Sequence, residues 1–364
     1  MSRKRNNFLI ALIILLVAAI IGTLAYIVIK NLNENNERKS LDNIAGSYAS
    51  GIENGTTSAT ESATEVTSPS INVKKVENPI DFKSLQQQNS DIYSWIYIPN
   101  TNVNYPVLQS HLDDNLYLDH DIYKNYSFSG SIYSQMCNKR DYSDRVTVLY
   151  GHNMAVGTFF ACLSEYWRTL YDSYDAPSMQ FYKDHPTITF NTLYEEAEWK
   201  IFGIGLFNIY EEYGEVYYNY NNKHDFTSRD DFNNFIIDLM DRSDIFTDVD
   251  IEYGDDILTL STCYWPFRSD MDNVRLAIFA RKVRPGESTY VDVSKAKVNT
   301  YVKRWQWVYD NIGGGYDWSQ SNWDRRKLLS YTEEDAERDG YTFIDDINDS
   351  DGIYDYNNGD GYDY

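Results

Sequence analysis

Residues 8–29, from Phe8 to Ile29, contain no charged side chain and are almost wholly apolar. Twenty-two residues at about 1.5 Å rise span about 33 Å, which matches a hydrocarbon core of about 30 Å. Arg3, Lys4 and Arg5 precede the run, which favours a cytoplasmic N-terminus. Lys30, Arg38 and Lys39 on the other side weaken that orientation. A cleaved signal peptide is the competing reading. The run is longer than a usual signal core, and no small-x-small cleavage pattern follows it closely. The expectation is therefore an uncleaved anchor, residues 1–30, with the remaining chain outside the cytoplasm.

Residues 31–78 are rich in Asn, Ser, Thr, Glu and Gly and show no apolar period. They read as a flexible stalk that holds a body away from the membrane.

Residues 79–285 have a different texture. Short β-rich runs alternate with turn residues: 95–99, 103–108, 131–133, 146–150, 187–190, 199–206, 257–263 and 274–283. Eight such runs predict a mainly β fold, a sheet closed into a barrel or packed as a sandwich. One helix interrupts them. Phe232, Phe235, Ile236, Leu239 and Met240 recur at i, i+3, i+4, i+7 and i+8. Ser228, with Asp231 three residues later, resembles a capping box.

Residues 286–332 read as a helical extension. Val298, Tyr301, Val302, Trp305, Val308, Tyr309 and Ile312 share one helical face, and Gly313–Gly315 stops the run. This helix is expected to pack on the body or lie near the membrane surface. Residues 333–364 hold 12 acidic residues and one basic, a net of 1 − 12 = −11 out of −23 for the whole chain. That tail is expected to be disordered. Such acidity excludes nucleic acid as a partner, because the phosphate backbone repels it. Asp335, Glu337, Asp339, Gly340 and Asp346 fit an EF-hand loop only in part, so a solvated tail is the stronger reading.

Three cysteines, Cys137, Cys162 and Cys263, are too few for a disulfide scaffold and lack the Cys-x-x-Cys spacing of a zinc ribbon. Cys263 ends the run Ile257-Leu-Thr-Leu-Ser-Thr-Cys263, before Tyr264-Trp-Pro266 breaks the strand. A thiol at a strand end is rigidly held yet faces loops, which suits a nucleophile. Most free cysteines are simply small buried hydrophobes. A reactive thiol needs an acid/base partner. Of His111, His120, His152, His185 and His224, only His152 also sits just past a β-run, after Gly151, which allows a tight turn. Arg275 lies on a strand face with Ala277 and Phe279, while Val274, Leu276 and Ile278 take the other. A permanent cation there suits a developing oxyanion. An ordinary ion pair explains it equally in so acidic a chain, and Arg268 is a rival.

Thr259-Leu-Ser-Thr-Cys263 followed by Arg275 resembles the signature of sortases, and Tyr150-Gly-His152-Asn-Met resembles their histidine segment. Trp95-Ile-Tyr-Ile, Asn104-Tyr-Pro-Val-Leu-Gln109 and Ser129-Gly-Ser-Ile-Tyr133 are similar to earlier strands of that family. The likeness covers about residues 80–284. The helix between the last strands, the N-terminal anchor and a short helix near residues 82–88 are similar to the class B subgroup.

The resemblance implies a closed eight-stranded, antiparallel-type barrel with a few peripheral helices. It implies that Cys263 is the nucleophile, His152 the general acid/base and Arg275 the oxyanion stabiliser, with Ser261 and Thr262 lining the cleft. No cofactor and no metal are expected. The implied partners are surface proteins with an LPxTG- or NPxTx-like sorting signal, cut after Thr, and an amine from peptidoglycan or a pilin. The implied location is the cell membrane, with the catalytic body outside. Two departures stand out. The twelve-residue interval from Cys263 to Arg275 is long, and the C-terminal extension lies outside the family pattern. A cysteine hydrolase of similar fold and a non-catalytic adhesion or scaffold module are the competing functions.

Overall fold

The structure is a computed structural model that describes residues 2–49, 79–171, 179–217, 219–266, 274–312, 323–341 and 343. Eight strands close into a barrel in the order β1-β2-β3-β4-β8-β9-β6-β5. They are β1 (Ile92–Tyr97), β2 (Asn104–Leu108), β3 (Ile132–Tyr133), β4 (Val146–Tyr150), β5 (Thr187–Thr192), β6 (Glu198–Phe207), β8 (Ile257–Tyr264) and β9 (Val274–Lys282). Between β6 and β8 lies the short β7 (Ile245–Phe246), which pairs with β10 (Lys297–Val298) outside the barrel. Each of the eight β-rich runs contributes one barrel strand.

The barrel is mixed, which corrects the antiparallel expectation. β2 pairs with β3 in parallel, and so does β4 with β8. A parallel neighbour requires a crossover in the chain rather than a hairpin. For β4 and β8 the crossover carries β5, β6, β7 and the helix Arg229–Asp241.

Alternation along the strands separates two apolar masses. Leu258, Leu260, Leu276 and Ile278 join the barrel interior with Ile96, Val107 and Ile201. Ala277 and Phe279 face outward, against Phe232, Ile236, Leu239 and Met240 of the Arg229–Asp241 helix. The apolar stripe of that helix is thus buried as its spacing requires. Its cap is half of a capping box. Ser228 accepts from the Asp231 N–H, but the Asp231 carboxylate accepts from Thr227 and Lys223 instead.

Three segments depart from the sequence reading. The N-terminal helix runs from Ser2 to Tyr48, so the first part of the presumed flexible stalk, residues 31–48, is helical. Its last turns pack on the body. Ile44 and Ala49 join Phe82, Leu85, Trp95 and Tyr117 in a third apolar cluster. Leu41, Ile44 and Tyr48 recur on one face, so packing supplies the stability that polar composition does not. Residues 50–78 lie outside the described residues.

The presumed helix over 298–312 is helical only at Gln306–Asn311. Val298 is spent on β10, and Trp305 and Val308 seat themselves in the main core cluster. The extension therefore packs on the body, as expected, but largely without helical backbone.

The acidic tail is ordered at its start. Glu333–Arg338 is a helix with a full capping box between Thr332 and Asp335. Ala336 is buried, and Tyr341 and Phe343 pack against the cluster that holds Leu328 and Tyr331. Asp335, the first position of the partial EF-hand pattern, is buried and ion-paired to Arg229 and Arg338. Residues 344–364 lie outside the described residues.

Candidate active site

The site is assembled at the ends of β4, β8 and β9. Cys263 and Arg275 are directly opposed partners in the antiparallel β8–β9 ladder. Side chains opposed across such a pair lie on one face about 5 Å apart, within an arginine's reach of a thiol. The Arg275 Nη1 donates to the Cys263 Sγ at 3.0 Å. Cys263 is a free, half-buried thiol. Residues 267–273, and with them the rival Arg268, lie outside the described residues.

His152 reaches the same end through the parallel pair. Tyr150 of β4 is matched with Ser261 of β8, so His152 and Cys263 each lie two positions beyond a matched pair. Three further bonds tie the histidine turn to the cysteine strand. The Gly151 N–H donates to the Ser261 carbonyl at 3.3 Å. The Thr262 hydroxyl donates to the Gly151 carbonyl at 2.7 Å, and the Asn153 amide donates to the Cys263 carbonyl at 3.0 Å. Gly151 is required by crowding rather than by an unusual backbone angle. A Cβ there would lie 2.3 Å from Ile132 Cδ1 and 2.8 Å from Phe160 Cδ2.

The imidazole itself is held from the side opposite the strand. Its Nε2 lies 2.8 Å from the Leu118 carbonyl oxygen. Its face stacks on Phe128, with ring centroids 6.3 Å apart and planes 11° from parallel. Leu118 and Phe128 carry no recognisable signal of a role in the sequence. Asn153 does follow the histidine directly, and that adjacency is the one clue that pointed to it.

The other histidines are occupied elsewhere. His120 bonds to the Leu116 carbonyl and Asp119, His185 to the Phe181 carbonyl, and His224 to Asn138. His111 is exposed, beside Asp91. Ser261 and Thr262 flank the thiol in sequence, but both are buried. The Ser261 hydroxyl lies 3.3 Å from the Tyr220 hydroxyl, and Thr262 is committed to Gly151. Neither presents open surface beside the sulfur. An open depression of about 500 Å³ is lined by Gln109, His111, Arg140 and Tyr194 and includes none of the three site residues.

A thiol facing a guanidinium at one end of a closed barrel, with a buttressed histidine on the adjoining strand end, has the components of a cysteine acyl-transfer centre. The match to known proteins agrees. A sortase domain model matches residues 96–283. Sortase B of Listeria monocytogenes is 30% identical over 183 residues, covering 50% of this chain and 67% of that protein. Sortase B of Staphylococcus aureus is 30% identical over 182 residues, with the same coverage. The solved sortase B of B. anthracis in complex with AAEK1 aligns with a TM-score of 0.51 at 25% identity, covering 70% of this chain and 99% of that one. The chain belongs to the sortase family, the cell-wall transpeptidases, and is similar to its class B members.

Proposed function

We propose that Cys263 attacks a threonyl carbonyl within a C-terminal sorting signal of a surface protein. His152 takes the thiol proton as the sulfur bonds to the carbonyl carbon, and the amide C–N bond then breaks. His152 gives its proton to the departing amine, which leaves a thioacyl enzyme. An incoming amine, from a peptidoglycan cross-bridge or a pilin lysine, attacks the thioester. His152 accepts its proton and passes it to the departing sulfur, which releases the thiol. With Nε2 donating to the Leu118 carbonyl, Nδ1 is the nitrogen that exchanges these protons.

The contact that carries this reading is Arg275 Nη1 to Cys263 Sγ at 3.0 Å. A donor that touches the attacking sulfur also lies beside the oxygen that gains charge when the carbon becomes tetrahedral. Arginine cannot lose its proton, so this support persists through both half-reactions.

The N-terminal helix is, among the described residues, the one long and apolar enough to cross a membrane. We place it across the cell membrane with Arg3, Lys4 and Arg5 inside and the barrel outside. The full chain in detergent, a sorting-signal peptide of the LPxTG or NPxTx type and an amine test the assignment. Amine-dependent ligation and a mass-detected thioacyl adduct are expected, and both vanish in Cys263→Ala. Turnover that survives Cys263→Ala refutes the nucleophile. Product that forms equally without amine makes the enzyme a hydrolase.

A further inference from the structure

The N-terminal helix does more than lead into the body. Glu37, on its third turn beyond Ile29, accepts hydrogen bonds from Ser127 Oγ at 2.8 Å and Ser129 Oγ at 2.5 Å. Between these serines stands Phe128, the ring that stacks on His152. Gly130, which follows Ser129, sits at φ +57°, and a Cβ there would lie 2.4 Å from the Leu118 carbonyl oxygen. That oxygen is the one that accepts the hydrogen bond from His152 Nε2–H. Ser131 N–H donates to the Tyr117 carbonyl, which closes the segment on itself.

We propose that Glu37 is a positioning residue for His152, acting through the 118–130 segment, so that docking of the membrane helix sets the catalytic imidazole. Three independent contacts converge. One carboxylate holds both neighbours of Phe128, Phe128 lies nearly parallel to the imidazole in an offset stack, and the carbonyl against which Gly130 packs fixes the ring's donor nitrogen. Two oxygens of one rigid carboxylate fix two points of a loop, which restrains its rotation as well as its position. Without Glu37, Ser127 and Ser129 lose their common acceptor, and Phe128 is free to swing off the ring. The imidazole then samples other orientations and other tautomers. Misplacement of an acid/base group by a fraction of an ångström lowers turnover rather than substrate affinity.

This inference rests on His152 being the acid/base group, and its test separates the two ideas. The full chain in detergent, with ¹⁵N-labelled histidine, is compared as wild type, Glu37→Ala, Glu37→Gln and Ser127→Ala/Ser129→Ala. His152→Gln assigns the His152 resonances. The wild type is expected to show one Nε2–H tautomer. Glu37→Ala is expected to show averaged tautomers, with kcat down on the order of tenfold, KM little changed and the melting temperature nearly constant. Glu37→Gln, which keeps an acceptor, restores most of both, and the serine pair reproduces Glu37→Ala without adding to it. The resonances report on the ring even if Cys263→Ala proves the turnover reading wrong. His152 resonances unchanged by Glu37→Ala overturn the proposal, whatever the turnover. Shifted resonances with wild-type kcat in an active enzyme confine Glu37 to structure and overturn it as well.

Discussion

Cys263 and Arg275 face each other across the β8–β9 ladder, and the guanidinium touches the sulfur at 3.0 Å. The interval of twelve residues that looks long in sequence is the length of a strand end, a connection and a strand start. The opposed register brings the two ends back together.

Arg275→Ala is expected to lower kcat/KM by about 10²–10³-fold, the usual loss when an oxyanion donor is removed. Arg275→Lys keeps the charge but not the planar fork, so it recovers only part of this. Initial rates of peptide–amine ligation check both. An Arg275→Ala enzyme that keeps wild-type rates removes the arginine from the mechanism.

The three thiols are expected to differ in alkylation. Burial pushes the Cys162 thiol up to about 12, so the folded protein leaves it protonated and slow at neutral pH. Burial and the nearby Asp114 also raise Cys137, though it lies at the surface. Timed iodoacetamide labelling read by mass spectrometry is expected to modify Cys263 well before Cys162. Equal rates for Cys162 in native and urea-unfolded protein contradict its packing.

The barrel strands were legible because each run is short, apolar and bounded by turn residues. The three residues proposed as the catalytic set could be picked out because Cys263 ends such a run, His152 follows one and Arg275 opens one. Their supports were not. The Leu118 carbonyl is backbone, and Phe128 sits in a polar loop whose fold depends on contacts distant in sequence. The tail misled for a related reason. Its acidity is real, but Thr332 and Asp335 cap a helix, and the ion pairs to Arg229 and Arg338 offset the buried charge.

Gly151→Ala is expected to destabilise the fold by about 1–3 kcal/mol through overpacking against Ile132 and Phe160. Because His152 is the next residue, turnover should fall further than stability alone explains. Ile132→Val removes the clashing Cδ1 and is expected to restore part of the loss. Thermal melts and ligation rates of the single and double variants decide it. A Gly151→Ala protein with unchanged melting temperature contradicts the crowding.

Arg281 is fully buried on β9 and bonds to Glu287, which also pairs with Lys200. The Arg281 guanidinium holds the Glu287 carboxyl far below its usual range. A carboxyl with a depressed folded pKa contributes stability above its unfolded pKa of about 4.3, and this is lost as pH falls below that value. Acid is therefore expected to lower the melting temperature from about pH 4 downward. Glu287→Gln is expected to be less stable at pH 7 by about 1–3 kcal/mol, because Arg281 keeps its ion pair to Asp250, and to show a shallower acid dependence. Parallel melting curves for the two proteins from pH 7 to pH 3 refute this.

The C-terminal extension is expected to be part of the folded body. Leu328 is fully buried beside Ile251, whose backbone it meets in a parallel bridge. Leu328→Ala should cost about 2–5 kcal/mol, as for other core leucines. Unchanged denaturant midpoints in Leu328→Ala mark the extension as an appendage.

The Tyr48 carbonyl accepts the Asp81 N–H at 3.1 Å, so the two ends of residues 49–80 meet. Whatever path those residues take, they add no reach. On the proposed orientation, Glu37 stands eight residues past Ile29, about 12 Å along the helix axis. With that orientation and with His152 as the proposed acid/base group, the site would work at a set altitude near the lipid headgroups. Its search for substrate would then be lateral, within a thin sheet of space parallel to the bilayer, and a cleavage point displayed far out in the wall would pass over it untouched.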